Sequence, residues 1–359
     1  MTRDGRRQRH EPAAGIAVVL LIAAAYFGLA FYKPGFADYH RYGRYSDVTM
    51  WISLIAPKEL TFFITYLAAG IATVLLLVRA LRATRLPELM DRLAGNVERR
   101  QERTIVTALT VVALAAVAAC TILSHDGTPL TDDEWVYRFQ ARVLAAGMLT
   151  APLPGPPDFF RNQYMVVTDR LYSQYAFGHS ALLAAGAVLG AMGVVPVLLA
   201  GCAVAFTYGC GRLLLNRRGG LLAACLLLFS PQFLLTQGTI ASQSSIAALV
   251  AAFFFFLLRA VRHDSRHSAF AAGLVWGWAL QTRPIDTMIV ALGAVAILLH
   301  RPSGRTFMAL VPIILWLAVG AAITGGLYLA TNWLVNGGPL TTNYNPLWKD
   351  HPSGATSAF

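Results

Sequence analysis

Three consecutive acids form the stretch of the sequence whose residue types best suit chemistry. Asp132, Asp133 and Glu134 begin a predicted helix that runs to about Gly147 and carries aromatic and apolar residues. Strongly apolar segments stand on both sides, so these acids lie in the longest polar interval of a mostly apolar chain. A carboxylate in such an interval is kept out of hydrocarbon but close to it. This position suits chemistry on a lipid-linked substrate.

A structural interpretation of the same acids is equally consistent with the sequence. Thr131 and Glu134 have the spacing of a capping box, and acids in a first helical turn interact favourably with unpaired backbone N–H groups and the helix dipole. The apolar residues that follow recur near one face, which is the pattern of a helix lying in the membrane interface. In this interpretation one or two of the acids serve only to start the helix.

The composition excludes a water-soluble globular protein. Of 359 residues, 56% are hydrophobic and 13% are charged. Several runs approach the roughly 20 apolar residues that cross a bilayer. The net charge of +11 comes from basic residues clustered between these runs, so topology and anionic headgroups explain it and no nucleic-acid partner is expected. The four cysteines lie inside apolar runs, and no metal-ligand spacing is present.

The apolar runs predict an all-α, polytopic membrane protein with about nine crossings. By the positive-inside rule, the basic residues at the N-terminus, in 79–103 and at 216–218 lie inside. The polar interval 124–193 then lies outside, and its apolar part, 175–192, is expected to lie on the outer leaflet or dip into it. The predicted spans are 14–32, 58–79, 104–123, 194–215, 219–236, 246–261, 269–282, 285–300 and 307–330.

Arg283 contradicts the charge bias, because it lies at the outer end of a short predicted hairpin. An ionisable residue at membrane depth is a candidate for function. The plainer alternative is an arginine that extends its charged end to the interface.

Several motifs follow one another in a defined order between about 104 and 345. They are Asp133-Glu134 with Tyr137, Arg142 and Gly147; the run RLYSQYAFGH over 170–179; 215–220 with Ser230-Pro231; 273–284 with Thr282-Arg283-Pro284; and 332–340 with Tyr344. Together they resemble bacterial GT-C glycosyltransferases related to family 39 protein mannosyltransferases and lipid A aminoarabinose transferases.

The resemblance implies a GT-C-like helical bundle with juxtamembrane helices on the outer face. It also implies an inverting transfer of a sugar from a polyprenyl-phosphate donor to an acceptor hydroxyl. By matching position, Asp133 is expected to be catalytic, with Asp132 or Glu134 beside it. The residues expected to contact substrate are Tyr137, Arg138, Arg142, Arg161, Arg170, Tyr172, Gln174, Tyr175, His179, Gln243 and Arg283. Related enzymes often carry a second acid in the turn that corresponds to 239–244, and this turn has none, so no metal ligand is assigned and a divalent cation stays open.

The same resemblance divides the chain into two extra N-terminal spans with an arginine-rich inner loop (1–103), a GT-C-like catalytic region (104–345) and an outer tail (346–359). It implies a multi-pass protein of the bacterial inner membrane with its active site on the outer face, and a glycan, lipid or protein as acceptor. Two other functions stay open. One is a transporter or flippase of lipid-linked sugars, in which the acids relay protons; the other is a non-catalytic envelope scaffold.

Overall fold

The computed structural model describes residues 99–123, 128–160, 164–300 and 307–343. These residues all belong to one unit of the chain, Val97–Leu347. The predicted spans 14–32 and 58–79, most of the first inner loop, Arg161 and the tail 346–359 lie outside the described residues. The proposed division of the chain therefore stays a prediction.

Ten α-helices account for most of the described residues, which confirms the predicted all-α membrane fold. They are α1 (Arg99–Leu123), α2 (Asp132–Ala145), α3 (Gly178–Val188), α4 (Val194–Leu214), α5 (Arg217–Leu228), α6 (Pro231–Gln237), α7 (Gln243–His263), α8 (Arg266–Leu280), α9 (Pro284–His300) and α10 (Phe307–Asn336). Four of them, α1, α4, α7 and α10, are long and apolar enough to cross a membrane. An apolar segment in lipid forms a helix because its backbone groups have no water to bond.

The remaining predicted spans on described residues differ from single long helices. The span 219–236 is a pair, α5 and α6, bent by 64°. The bend occurs where Pro231 begins α6 and the Ser230 hydroxyl accepts a hydrogen bond from Phe233 N–H at 3.3 Å, an arrangement that starts a new helix. Helices α8 and α9 have 15 and 17 residues, fewer than the roughly 20 that span a bilayer. Helix α3 has only 11 residues, which agrees with a segment that does not cross.

A small antiparallel sheet between α2 and α3 was not predicted. Its strands are β1 (Ala151–Pro152), β2 (Met165–Val167) and β3 (Arg170–Ser173), in the order β1-β3-β2, with a 3₁₀ turn at Pro157–Phe160. Strands of two to four residues leave no alternating pattern long enough to detect. The sheet packs against α2 through Val136, which is buried with Met165 and Leu171.

Close packing at Gly178 holds the start of α3 against the end of α8. A Cβ at Gly178 would lie 2.6 Å from Thr282 Oγ1, so only glycine fits there. The backbone N–H of Gly178 donates to Gln281 O at 2.9 Å, and Trp278 Nε1 donates to Gly178 O at 3.2 Å. This contact brings the start of α3 next to the link between α8 and α9, where Arg283 lies.

Candidate functional site

A polar turn, defined here as residues 238–245, connects α6 to the first turn of α7 and receives side chains from three other helices. Thr121 of α1 donates to Gly238 O at 3.0 Å. Glu134 of α2 accepts from Ile240 N–H at 3.0 Å, and His179 of α3 bonds Ile240 O at 2.6 Å. The polar turn is thus the point at which α1, α2 and α3 meet α7.

Glu134 holds α2 to this turn and has both carboxylate oxygens occupied. Its side chain is 1% exposed. Oε2 accepts the Ile240 bond, whereas Oε1 accepts from Leu130 N–H and Thr131 Oγ1, both at 3.3 Å. The predicted capping box is not formed in its usual way, because the Thr131 side chain bonds the carboxylate and caps no backbone N–H. Every partner of Glu134 is a donor, so the carboxylate positions the helix.

His179 is a buried, neutral support for the same turn. Since a carbonyl oxygen can only accept, Nε2 donates to Ile240 O, and Nδ1 accepts from the Ser245 hydroxyl at 2.7 Å. Burial lowers the pKa of His179 to about 4. Its ring also meets the ring of Tyr137 edge-on, with centroids 4.7 Å apart. His179 therefore orients Tyr137 and the turn.

Asp133 differs from its neighbour Glu134, since it is only half-buried and its Oδ1 accepts one hydrogen bond, from the Tyr175 hydroxyl at 2.6 Å. Tyr175 stacks on Tyr137 with centroids 4.8 Å apart and on Tyr164 at 5.9 Å. Burial, and then the hydrogen bond to Asp133, raise the pKa of Tyr175 far above its usual value, so its hydroxyl stays protonated and remains a donor. The tyrosine stack thereby orients one oxygen of the Asp133 carboxylate.

Arg283 reaches the same cluster from the other side of Tyr137. The Tyr137 hydroxyl donates to Ser242 Oγ at 3.1 Å, and Arg283 Nη1 donates to that same oxygen at 3.4 Å. Arg283 Nε forms an ion pair with Asp286, three residues later on α9. Burial raises the pKa of Tyr137 to about 12, so its hydroxyl keeps the proton that it donates to Ser242. The cluster thus runs from Asp133 through two tyrosines and Ser242 to Arg283 and Asp286.

Two of the predicted contact residues, Tyr172 and Gln174, are buried and lie in the segment that carries Tyr175. Tyr172 donates to Asn336 Oδ1 at 3.1 Å, and the backbone N–H of Gln174 donates to Tyr164 O at 3.1 Å. Asn343 Nδ2 donates to the carbonyl oxygens of Ser173 and Tyr175, at 3.0 and 3.1 Å. This network fixes the segment that carries Tyr175 to the end of α10.

Other predicted residues are not brought into the cluster. The Arg138 guanidinium lies over the Trp135 ring at 5.6 Å, and Arg170 pairs with Asp169 at 3.4 Å on the surface. Within the described part of the chain, none of the following forms a hydrogen bond or ion pair with the Asp133–Arg283 cluster: Asp132, Arg138, Arg142, Arg170 and Gln243. Arg161 lies outside the described residues.

Sequence reasoning missed Ser242, Asp286 and Tyr164. Ser242 lies in the turn 239–244, from which only Gln243 was expected to contact substrate. Asp286 stands in the first turn of the predicted span 285–300, three residues after Arg283, so an acid close to this arginine was visible in the sequence. Among the residues that the structure describes, no group of three or more His, Cys, Asp or Glu side chains is arranged to hold a metal ion.

Comparison with known protein families gives a match, and it covers most of the residues of this cluster. Residues 175–328 match the family model for dolichyl-phosphate-mannose-protein mannosyltransferases, a range that is less than half of the chain and includes Tyr175, His179, Ser242, Arg283 and Asp286. Neither the curated proteins nor the solved structures gave a significant match. The family match confirms the resemblance to GT-C type enzymes and supports a membrane glycosyltransferase.

Proposed function

We propose that this protein transfers a sugar from a polyprenyl-phosphate donor to the hydroxyl of a glycan, lipid or protein acceptor, on the outer face of a bacterial inner membrane. The observation that carries the proposal is a half-buried carboxylate, Asp133, and a partly exposed guanidinium, Arg283, on either side of Tyr137 in one polar cluster. An acid and a cation in one cluster suit the two ends of a glycosyl transfer, which are the attacking hydroxyl and the leaving phosphate.

Asp133 acts as the general base in this proposal. Tyr175 holds Oδ1, which leaves Oδ2 to accept the proton of the acceptor hydroxyl as its oxygen attacks the anomeric carbon. The bond from that carbon to the phosphate oxygen breaks on the opposite face, so the configuration at the carbon inverts. The products are the glycosylated acceptor and the free polyprenyl phosphate.

Arg283 stabilises the leaving group in this proposal. The departing phosphate gains negative charge, and a planar guanidinium can donate to two of its oxygens at once. Arg283 is 35% exposed on its side chain, so it is accessible to a ligand while it keeps its bonds to Ser242 and Asp286. Pro284 starts α9 directly after Arg283, which places the guanidinium at a helix end, where the headgroup of a lipid donor would also lie.

Transfer by the purified full chain in liposomes tests the proposal. Wild-type protein should move a labelled sugar from a panel of polyprenyl-phosphate sugars to an acceptor mixture, and Asp133→Asn should not. Movement of the labelled lipid between leaflets without transfer would favour the flippase. If the protein neither transfers the sugar nor moves the lipid, the non-catalytic scaffold is the function that remains.

Cysteine labelling from the outer side tests the proposed face of the membrane. In a variant without the native cysteines, a membrane-impermeant reagent should label a cysteine at position 128 and not one at position 92, because the arginine-rich loop is predicted to lie inside. Labelling at 92 alone would reverse the proposed orientation.

A further inference from the structure

Asp286 is the acid of this cluster to which the proposed reaction gives no role. Its Oδ2 pairs with Arg283 Nε, and the two side chains are 41% and 35% exposed. A partly exposed pair three residues apart at the start of a helix adds little stability by itself. The value of the pair therefore lies in where it directs the guanidinium.

The backbone at Arg283 is fixed, so side-chain partners decide the direction of its guanidinium. Arg283 N–H donates to Ala279 O at 2.9 Å, and the Thr287 hydroxyl donates to Arg283 O at 2.8 Å. Two partners bind different nitrogens of the guanidinium, since Asp286 accepts from Nε while Nη1 donates to Ser242.

Asp133 is the carboxylate that would compete for this cation. It lies four residues before Tyr137 on one face of α2, and the Tyr137 hydroxyl shares Ser242 with Arg283. Tyr175, whose hydroxyl bonds Asp133 Oδ1 at 2.6 Å, stacks on Tyr137 with centroids 4.8 Å apart, so Asp133 and Arg283 are joined to the same tyrosine pair. An ion pair between them would occupy the base and the phosphate-binding cation together.

We infer that Asp286 is a positioning residue, whose carboxylate holds the Nε edge of Arg283, keeps the guanidinium off Asp133 and leaves the Nη hydrogens that Ser242 does not accept for an anionic ligand. The identity of that ligand as the donor phosphate rests on the proposed function. The separation of Arg283 from Asp133 does not rest on it.

The first measurement is kinetic. Asp286→Asn should lower kcat by about 10-fold or more, because a base that is paired with arginine accepts protons poorly. It should also raise the KM for the polyprenyl-phosphate sugar, and Asp286→Glu should recover most of both losses. The matched control is Asp264→Asn, about 30 Å along α7 from the polar turn at ~1.5 Å per residue. Asp264 has φ +54°, a conformation that asparagine also adopts, so this variant should behave as wild type.

The second measurement needs no activity and follows thermal unfolding in detergent. Asp133→Asn and Arg283→Gln are combined as a double-mutant cycle, once with Asp286 present and once in the Asp286→Asn background, or in Asp286→Ala if the amide variant is not recovered. The coupling between the two changes should be small with Asp286 present and should grow by about 2–4 °C in Tm without it.

A coupling that is the same size with and without Asp286 would overturn the inference whatever the kinetics. Wild-type kcat and KM in Asp286→Asn would overturn it as well. If the wild-type protein transfers no sugar, the proposed function fails, and the unfolding cycle still decides whether Asp286 separates Arg283 from Asp133.

Discussion

Two carboxylate clusters at opposite ends of α1 use the same residue types in different ways. Near the start of α1, Glu102 is 6% exposed and accepts from Tyr208 at 2.5 Å, from Arg212 at 3.1 Å and from Arg217 at 2.8 Å. At the other end, Thr121 of α1 contacts the polar turn, beyond which Asp133 has one tyrosine as its partner. Both clusters combine an acid, a tyrosine and arginine.

The difference lies in how completely each acid is bonded. Both oxygens of Glu102 are occupied by donors, two of which are cations. The carboxylate therefore fastens α1 to α4 and to the start of α5, and neither of its oxygens lacks a donor. Asp133 keeps an oxygen free of described partners, and its neighbouring cation is held by another acid. A fully bonded buried acid indicates structure, whereas a partly bonded acid beside a restrained cation indicates chemistry.

The largest expected effect is on activity at Asp133. Asp133→Asn should lower kcat by about 10²–10⁴, because an amide cannot take the acceptor's proton. Its carbonyl oxygen still accepts from Tyr175, so the Tm should change little. Asp132→Asn makes the same charge change on an exposed neighbour and should cost far less in the liposome transfer assay. Equal losses in the two variants would place the base elsewhere.

Arg283 should give the next largest loss. Arg283→Ala should lower kcat/KM for the polyprenyl-phosphate donor by about 10²–10³, the usual cost of removing one group that stabilises developing charge. The kcat/KM of Arg283→Lys should lie between those of wild type and Arg283→Ala, since an ammonium is a point charge and cannot hold two oxygens in one plane. Steady-state kinetics against donor concentration measure both variants. Unchanged donor kinetics in Arg283→Ala would leave only the interfacial role for this arginine.

Glu102 should show the reverse balance of stability and activity. Glu102→Gln should lower the free energy of unfolding by about 1–3 kcal/mol, because one amide end presents N–H groups to arginines that are themselves donors. Its kcat, corrected for folded protein, should match wild type. Thermal unfolding with a parallel transfer assay measures this, and a loss of kcat at unchanged stability would end the contrast between the two clusters.

The smallest effect concerns pH and the neutral imidazole that supports the polar turn. Because the pKa of His179 is lowered from 6.5 to about 4, its contribution to stability is complete above pH 6.5 and is lost as the pH falls through 4. The Tm should therefore fall over this range. His179→Gln retains one donor and one acceptor and should flatten the fall, whereas His263→Gln, at an exposed histidine, should not. An identical acid profile in both variants would show that another group is responsible.

The helices were the most predictable part of the fold. Runs such as 104–123 and 246–261 are apolar over nearly their whole length, and such a run in lipid has no alternative to a helix. The bend between α5 and α6 was less visible, since Pro231 was read as part of one span. The sheet of β1 to β3 was missed because its strands are held by partners from α2 and by one another.

Some residues of the candidate site were predictable, and the contacts between them were not. Asp133, Tyr175 and Arg283 stand out by type and position, and the order of motifs around them carries the family resemblance. From the sequence, Asp133 is expected to be catalytic, whereas Glu134 is expected to stand beside it or to cap the helix. The structure separates them because successive residues on a helix point about 100° apart, which turns Glu134 toward Ile240 and Asp133 toward Tyr175.

By itself, then, the amino-acid sequence determined that the chain is a helical membrane protein and that its longest polar interval carries Asp133. Both follow from local hydropathy and charge. Only the tertiary structure decided which acid keeps an oxygen without a described partner, that His179 supports the polar turn, and which acid pairs with Arg283. Those outcomes depend on hydrogen bonds between residues far apart in the chain, such as Tyr137 with Ser242 and Tyr175 with Asp133. The packing of the helices decides which side chains meet, and the local sequence does not show it.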